Sequence, residues 1–203
     1  MKTEIVIINA NKPEPEKIKY AAQALKRGDL VVFPTETVYG IGANAENKKA
    51  QARLRKLKER QKKPFSYHIA AKSGLKRLNC AIDKTAKKVI DKFWPGPLTL
   101  VLPTKSGKSI GVRMPAHPVA VALLKKAQAK IVAPSANFKD EKPATNAGEA
   151  LSDLNGLVDI IIDSGETKVG VSSTVLDMTR SPARILRKGS ISKKEIEKVI
   201  GKM

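Results

Sequence analysis

Phe33-Pro34-Thr35-Glu36-Thr37-Val38-Tyr39-Gly40-Ile41-Gly42 is the stretch on which the reading of this chain turns. It continues an apolar run over residues 30–33 that reads as a buried strand, and Pro34 ends that run abruptly. Beyond the proline stand three hydroxyl-bearing side chains (Thr35, Thr37, Tyr39), one carboxylate (Glu36) and two glycines. A hydrophobic strand emptying into a polar, glycine-containing turn is where α/β folds place ligands.

Outward from that stretch, helix and strand patterns alternate irregularly, which predicts a mixed sheet. Residues 16–27 carry Ile18, Ala21, Ala22 and Leu25 on one helical face, with Gly28 where a C-cap belongs. Residues 5–8 read as a strand partner for residues 30–33. Residues 48–58 read as a basic helix with only Ala50, Leu54 and Leu57 to bury. From Asp83, the residues Ala86, Val89, Ile90 and Phe93 make another amphipathic helix, stopped by Trp94-Pro95-Gly96-Pro97. Pro118 suits a first helical position, and Ser192 with Glu195 forms a capping box for a last helix. Further strands are expected over residues 67–71, 98–102, 110–114, 131–133, 158–162, 173–176 and 183–186. With no repeat, linker or low-complexity segment, the pattern predicts one domain over residues 1–203.

Composition narrows the function classes. At 4% aromatic and 41% hydrophobic, the core must be aliphatic, as in a sheet covered by helices. No apolar stretch approaches the ~20 residues that span a bilayer. The apolar segment after Met1 is also too short for a secretory signal, so the expectation is a cytoplasmic protein with no membrane partner. The single cysteine, Cys80, excludes an intrachain disulfide and a cysteine-built zinc site. Thirty-nine lysines and arginines against 19 acids give a formal charge of +20. That balance suits polyanions such as nucleoside triphosphates or RNA, and equally a lysine-rich surface that only confers solubility. Residues 48–63 concentrate nine cations around the lone acid Glu59, a cluster expected to face something anionic.

Six further segments carry candidate chemistry. Lys58 and Arg60 lie two apart, so in an extended loop both would point at one place and suit a triphosphate; the same spacing also fits a solvated helix end. Trp94-Pro95-Gly96-Pro97-Leu98-Thr99 reads as a rigid turn into a strand, with packing its main role. Gly111-Val112-Arg113-Met114-Pro115-Ala116-His117 puts an arginine at a strand end and His117 at a helix entrance, fit for an anion or merely for capping. Ala133-Pro134-Ser135-Ala136-Asn137 offers small side chains for close backbone approach plus two hydrogen-bonding groups. Thr145 is placed to close that loop. Ser172-Ser173-Thr174-Val175 and Leu186-Arg187-Lys188-Gly189 are strand edges with polar ends. No stretch matches the P-loop spacing, no G-x-G-x-x-G opens a helix, and no plausible Ser/His/Asp hydrolase elbow is found.

In their order along the chain, these segments resemble the YrdC-type threonylcarbamoyl-AMP synthases, from about residue 15 to the C-terminus. The resemblance implies an α/β fold in which a twisted mixed sheet flanked by helices surrounds a large basic cavity. It implies an enzyme joining L-threonine, bicarbonate and ATP into threonylcarbamoyl-AMP and pyrophosphate, for the N6-threonylcarbamoyladenosine of tRNA. It places Thr37, His68, His117, Ser135 and Ser173 at threonine, and Lys58, Arg60, Arg113, Asn137, Thr145 and Arg187 at ATP. Thr35 and Tyr39 fall in the pocket wall, and Lys58 and Arg60 serve the chemical step. Mg²⁺ would arrive on the ATP phosphates rather than in a protein-built metal site, since Glu36 is the one carboxylate inside the motifs. Implied partners are downstream tRNA threonylcarbamoyl transferase proteins, and the charge of +20 adds tRNA or double-stranded RNA as a candidate partner.

The chain departs from the family pattern in places. Arg60 reaches Pro64 one residue early, and an Asp usual in that segment is missing, which loosens the alignment of His68. This shortened form looks more like the related domain of hydrogenase-maturation carbamoyltransferases. Ser172 stands where a glutamate is common, and the chain ends soon after the last motif, so a further C-terminal domain is not expected. Residues 61–66 have the composition of a lid. Two alternatives stand beside the synthase: a hydrogenase-maturation carbamoyl-adenylating module, which the single cysteine disfavours, and a basic RNA-binding protein of the same fold.

Overall fold

A computed structural model describes residues 2–59, 63–138 and 141–203. The elements run β1 (Glu4–Ile7), α1 (Pro15–Arg27), β2 (Val31–Phe33), β3 (Gly40–Asn44), α2 (Lys48–Leu57), β4 (Tyr67–His68), α3 (Gly74–Arg77) and α4 (Lys84–Phe93). They continue as β5 (Leu98–Pro103), β6 (Ser109–Arg113), α5 (Pro118–Ala127), β7 (Ile131–Val132), α6 (Ala147–Leu154), β8 (Ile160–Asp163), β9 (Thr174–Asp177), β10 (Arg184–Arg187) and α7 (Lys193–Ile200).

The helix boundaries follow local chemistry. Pro15 opens α1, and Gly28 closes it at φ 109°, in the left-handed region that a side chain disfavours. The Asn47 and Asp83 side chains accept from the backbone N–H groups of Ala50 and Ala86, capping α2 and α4. Ser192 and Glu195 form the expected capping box on α7.

The strands form one mixed sheet in the order β1-β8-β2-β3-β7-β4-β6-β5-β9-β10. Its apolar faces are buried in three clusters. One sits under α1 and α5, one under α2 and α6, and one joins α4 and α7 to β5, β6 and β9. Among the described residues no helix is long and apolar enough to cross a membrane.

Several expectations need correction. β1 does not pair with β2; β8 lies between them, parallel to both. Residues 40–42, read as part of a polar turn, belong to the fully buried strand β3, antiparallel to β2 and β7. Helices α3 and α6 were not anticipated. Lys58 is not in an extended loop but caps the C-terminus of α2, and the following Glu59 turns to φ 46°. The cations around α2 do not all face outward, either. Arg53 pairs with Asp159 at 2.8 Å, Arg55 lies 5.4 Å from the Phe65 ring centroid, and Lys58 points inward.

Candidate functional site

A single lateral row of side chains makes the floor of the site. Strand registers align Arg187 with Val175, Val175 with Thr99, Thr99 with Arg113, and Arg113 with His68, across β10, β9, β5, β6 and β4. Residues opposite one another on paired strands project from the same face. All five line one cavity of about 1010 Å³. Two residues further along, Val101 and Gly111 form a second aligned pair on the same wall. Leu98, Leu100 and Leu102 alternate to the opposite face and fill the core against α4 and α7. The period-2 pattern of β5 thus separates ligand face from core face.

The other wall comes from the far half of the sheet. The segment after β7 is stitched to β3: Ile41 N–H donates to Pro134 O, and Ala136 N–H to Tyr39 O, each at 2.8 Å. This sets Ser135 and Asn137 on the cavity beside Gly40. The Lys58 ammonium, 6% exposed, donates to Ser135 O at 3.1 Å, to Asn137 Oδ1 at 3.1 Å and to Asn137 O. Asn137 Nδ2 donates to Phe138 O and Glu141 O at 2.7 and 2.6 Å. The end of α2 is therefore tied to the Ser135–Asn137 loop by a buried cation.

The turn after β2 organises Arg113. Arg113 Nη2 donates to Glu36 Oε1 and to Thr37 Oγ1, both at 2.8 Å, and Nε to Gly96 O at 3.4 Å. Thr37 Oγ1 lies 2.8 Å from Thr35 Oγ1, which donates to Val38 O at 2.6 Å. With Thr37 accepting from the guanidinium, its own proton goes to Thr35, giving a consistent relay from Arg113 to the Val38 carbonyl. Glu36 Oε2 accepts from Ala116 N–H at 3.0 Å. Both carboxylate oxygens of Glu36 are thus engaged inside the protein.

On the opposite rim, Arg187 donates to Ser173 O at 2.8 Å and to Ser173 Oγ at 3.1 Å, and Ser173 Oγ lies 2.9 Å from Thr99 Oγ1. His68 is buried edge-on to Phe33. Loss of solvation first, and the neighbouring Arg113 charge second, hold its imidazole down to about 3, so it is neutral at physiological pH. Tyr39 is fully buried in the wall, its hydroxyl donating to Gly165 O at 2.7 Å, and burial pushes the phenol up to about 12.

Of the residues expected at the site, Lys58, Arg113, Asn137, Arg187, His68, Ser135, Ser173, Thr35 and Tyr39 line the cavity. Arg60 lies outside the described residues, as do residues 61–62 of the expected lid. Thr37 stands behind Arg113 and does not line the cavity. His117 is buried away from the lining, with Nδ1 unpartnered among the described residues and its imidazole held below its usual range chiefly by burial. Thr145 is also off the wall; its N–H and hydroxyl both bond the Glu149 carboxylate beside the start of α6. Sequence reading missed Thr99, Val175, Lys63 and Phe138, which line the cavity. Strand alternation could have found the first two. Lining cations Lys58, Lys63, Arg113 and Arg187 face a single lining acid, Glu59, among the described residues.

Comparison with known proteins supplies independent information. A family model described as Sua5/YciO/YrdC, telomere recombination, matches residues 23–189. A threonylcarbamoyl-AMP synthase of Pyrococcus abyssi is 43% identical over 98% of this chain and 62% of its own length. A putative threonylcarbamoyl-AMP synthase of Mycobacterium tuberculosis is 36% identical over 89% of this chain and 88% of its own. The structure of P. abyssi Sua5 complexed with L-threonine superposes at TM-score 0.92 with 42% identity, covering 98% of this chain and 61% of the other. The chain spans about three fifths of the length of the Pyrococcus protein.

Proposed function

The chain belongs to the Sua5/YciO/YrdC family, and on that premise we propose that it is a threonylcarbamoyl-AMP synthase. The observation that carries this reading is the convergence of Lys58, Arg113, Arg187, His68, Ser135, Asn137 and Ser173 on one cavity large enough for an adenylate beside an amino acid. The substrates are L-threonine, bicarbonate and ATP with Mg²⁺ carried on its phosphates.

The reaction begins when the lone pair of the threonine amine attacks the bicarbonate carbon. The amine loses a proton, the equivalent of water departs, and a carbamate remains. A carbamate oxygen then attacks the α-phosphorus. The bond from that phosphorus to the bridging oxygen breaks, and its electron pair leaves with pyrophosphate. Both partners in the second step are anionic, so charge neutralisation and alignment matter more than proton transfer. Lys58 and Arg60 act at the phosphates, with Arg113, Arg187, Asn137 and Thr145 holding ATP. Ser135, Ser173 and His68 hold threonine, supported by Thr37 and His117, and neutral His68 adds no charge there. Thr35 and Tyr39 complete the wall.

The Glu36 carboxylate, engaged by Arg113 and Ala116, is not free to ligate a metal. Among the described residues no group of three or more histidine, cysteine or acidic side chains could hold one.

Downstream, the adenylate passes to tRNA threonylcarbamoyl transferase proteins in the cytoplasm. Contact with tRNA or double-stranded RNA would fall on the exposed lysines of α2. The test is to incubate the protein with ATP, L-threonine and bicarbonate and follow pyrophosphate. Threonine-dependent release is expected. Its absence, together with RNA affinity that falls steeply with salt, would instead mark an RNA-binding protein.

A further inference from the structure

We infer that Glu36 is a positioning residue that sets the orientation of Arg113 in the cavity; the inference rests on the synthase reading of that site. Four observations lead to it. The Glu36 side chain is 9% exposed and the Arg113 side chain 5%, so the pair is desolvated. The carboxylate divides its oxygens between two elements: Oε1 takes Arg113 Nη2 at 2.8 Å, and Oε2 takes the Ala116 N–H at 3.0 Å. Glu36 thereby clips the turn after β2 to the segment between β6 and α5. Arg113 lines the cavity and Glu36 does not, so the carboxylate reaches a bound molecule only through the guanidinium.

The chemistry of the arrangement is specific. A guanidinium has five N–H donors in a rigid fork. Gly96, Thr37 and Glu36 take donors from Nε and Nη2. That fixes the plane of the fork from one edge and leaves Nη1 the remaining arm. A buried arginine without its carboxylate would have to find another counter-charge or another orientation. An anionic substrate would supply that counter-charge in an arbitrary pose. With Glu36 in place, the fork meets the substrate in one pose and with its charge already balanced. Glu36 therefore favours alignment at the reacting phosphorus over bare electrostatic attraction.

The test is a double-mutant cycle in the full chain, measuring threonine-dependent pyrophosphate release against ATP concentration. Glu36→Gln is expected to lower kcat/KM about tenfold, within the range seen for residues that share a partner. In an Arg113→Met background, Glu36→Gln should cost nothing further, because the group it orients has gone. That coupling, rather than the loss in the single variant, is the signature of positioning. Equal losses with and without Arg113, or faster turnover in Glu36→Gln, would overturn the inference.

If Glu36→Gln alone does not fold, Glu36→Asp, which keeps the charge but shortens its reach, takes its place in both backgrounds, and a loss that appears only where Arg113 is present carries the inference. The wild type separates the two readings. Active wild type with additive losses rejects the positioning role alone. Wild type without pyrophosphate release rejects the synthase reading, and the same cycle is then read on the ATP dissociation constant, where coupling supports the inference and additivity overturns it. Wild type that neither turns over nor binds ATP overturns both.

Discussion

His68 shows how much one side chain's surroundings decide. Its place in the row opposite Arg113 buries it beside a permanent cation, and both effects disfavour the imidazolium. The folded form titrates near 3, against 6.5 for an ordinary histidine. Between those values the unfolded chain binds a proton that the folded chain refuses, so stability is intact above about pH 6.5 and is lost as pH falls toward 3. The slope from one such group is about 1.4 kcal/mol per pH unit. His117, also lowered chiefly by burial, acts in the same direction. Urea unfolding at pH 7.5, 6.0 and 5.0 should therefore show declining stability, and His68→Phe should flatten the decline. An identical slope in that variant would mean His68 takes up its proton in the folded state. Neutrality also suits the proposed site, since a second cation beside Arg113 would repel it across the row.

At the scale of elements, the α2 end and the β3 strand carry opposite lessons. The Lys58 ammonium satisfies three oxygens of the Ser135–Asn137 loop, so Lys58→Met leaves buried acceptors without that donor. A loss of about 2–3 kcal/mol in urea unfolding is expected, together with loss of turnover. Unchanged stability would show that water replaces the ammonium. In β3, a Cβ added at Gly42 would stand 2.9 Å from the Phe33 ring and 3.1 Å from Leu25 Cδ2 and Val31 O. Gly42→Ala should then cost about 1–3 kcal/mol by overpacking, read from the same unfolding curves. These two elements also mark what sequence can and cannot disclose. Helices with a periodic apolar face and a capping residue, such as α1, α4 and α7, were legible because the signals are local. Strand β3 was not, because Gly40 and Gly42 resemble a turn until the Phe33 ring against Gly42 and the Pro134 carbonyl against Gly40 are known. The position of β8 between β1 and β2 is likewise a long-range fact with no local trace. At the site, the residue types were legible in the motifs. Their arrangement was not: the Arg113–Glu36–Ala116 link and the inward turn of Lys58 depend on chain segments far apart in sequence.

For the whole molecule, the cavity lies between two halves of the sheet that are packed separately. Lys58, Ser135 and Asn137 belong to the half buried under α2 and α6, whereas Thr99, Val175 and Arg187 belong to the half packed on α4 and α7. A nucleotide held by Lys58 on one side and Arg187 on the other would bridge those halves. It would then stabilise both against unfolding, by about 2.7 kcal/mol at a hundred times its dissociation constant. The protein carries its own reporter for this. Trp94, the only tryptophan, is buried in the α4–α7 cluster and donates to Leu98 O at 2.7 Å. Its fluorescence therefore follows that half, while far-ultraviolet circular dichroism follows the helices of both. With ATP present, both transitions should move to higher urea by the same free energy. If circular dichroism moves and the Trp94 signal does not, the nucleotide is held by the α2 half alone and the bridging role of Arg187 fails. Salt supplies the complementary reading. Attraction that arises from the overall charge of +20 should weaken as ionic strength rises, whereas contacts to the buried Lys58 and Arg113 are screened far less. ATP stabilisation should accordingly lose only part of its size between 50 and about 500 mM salt, where the Debye length falls well below the ~10 Å of 0.1 M. A complete loss would place the nucleotide on the lysine-rich surface instead of in the cavity.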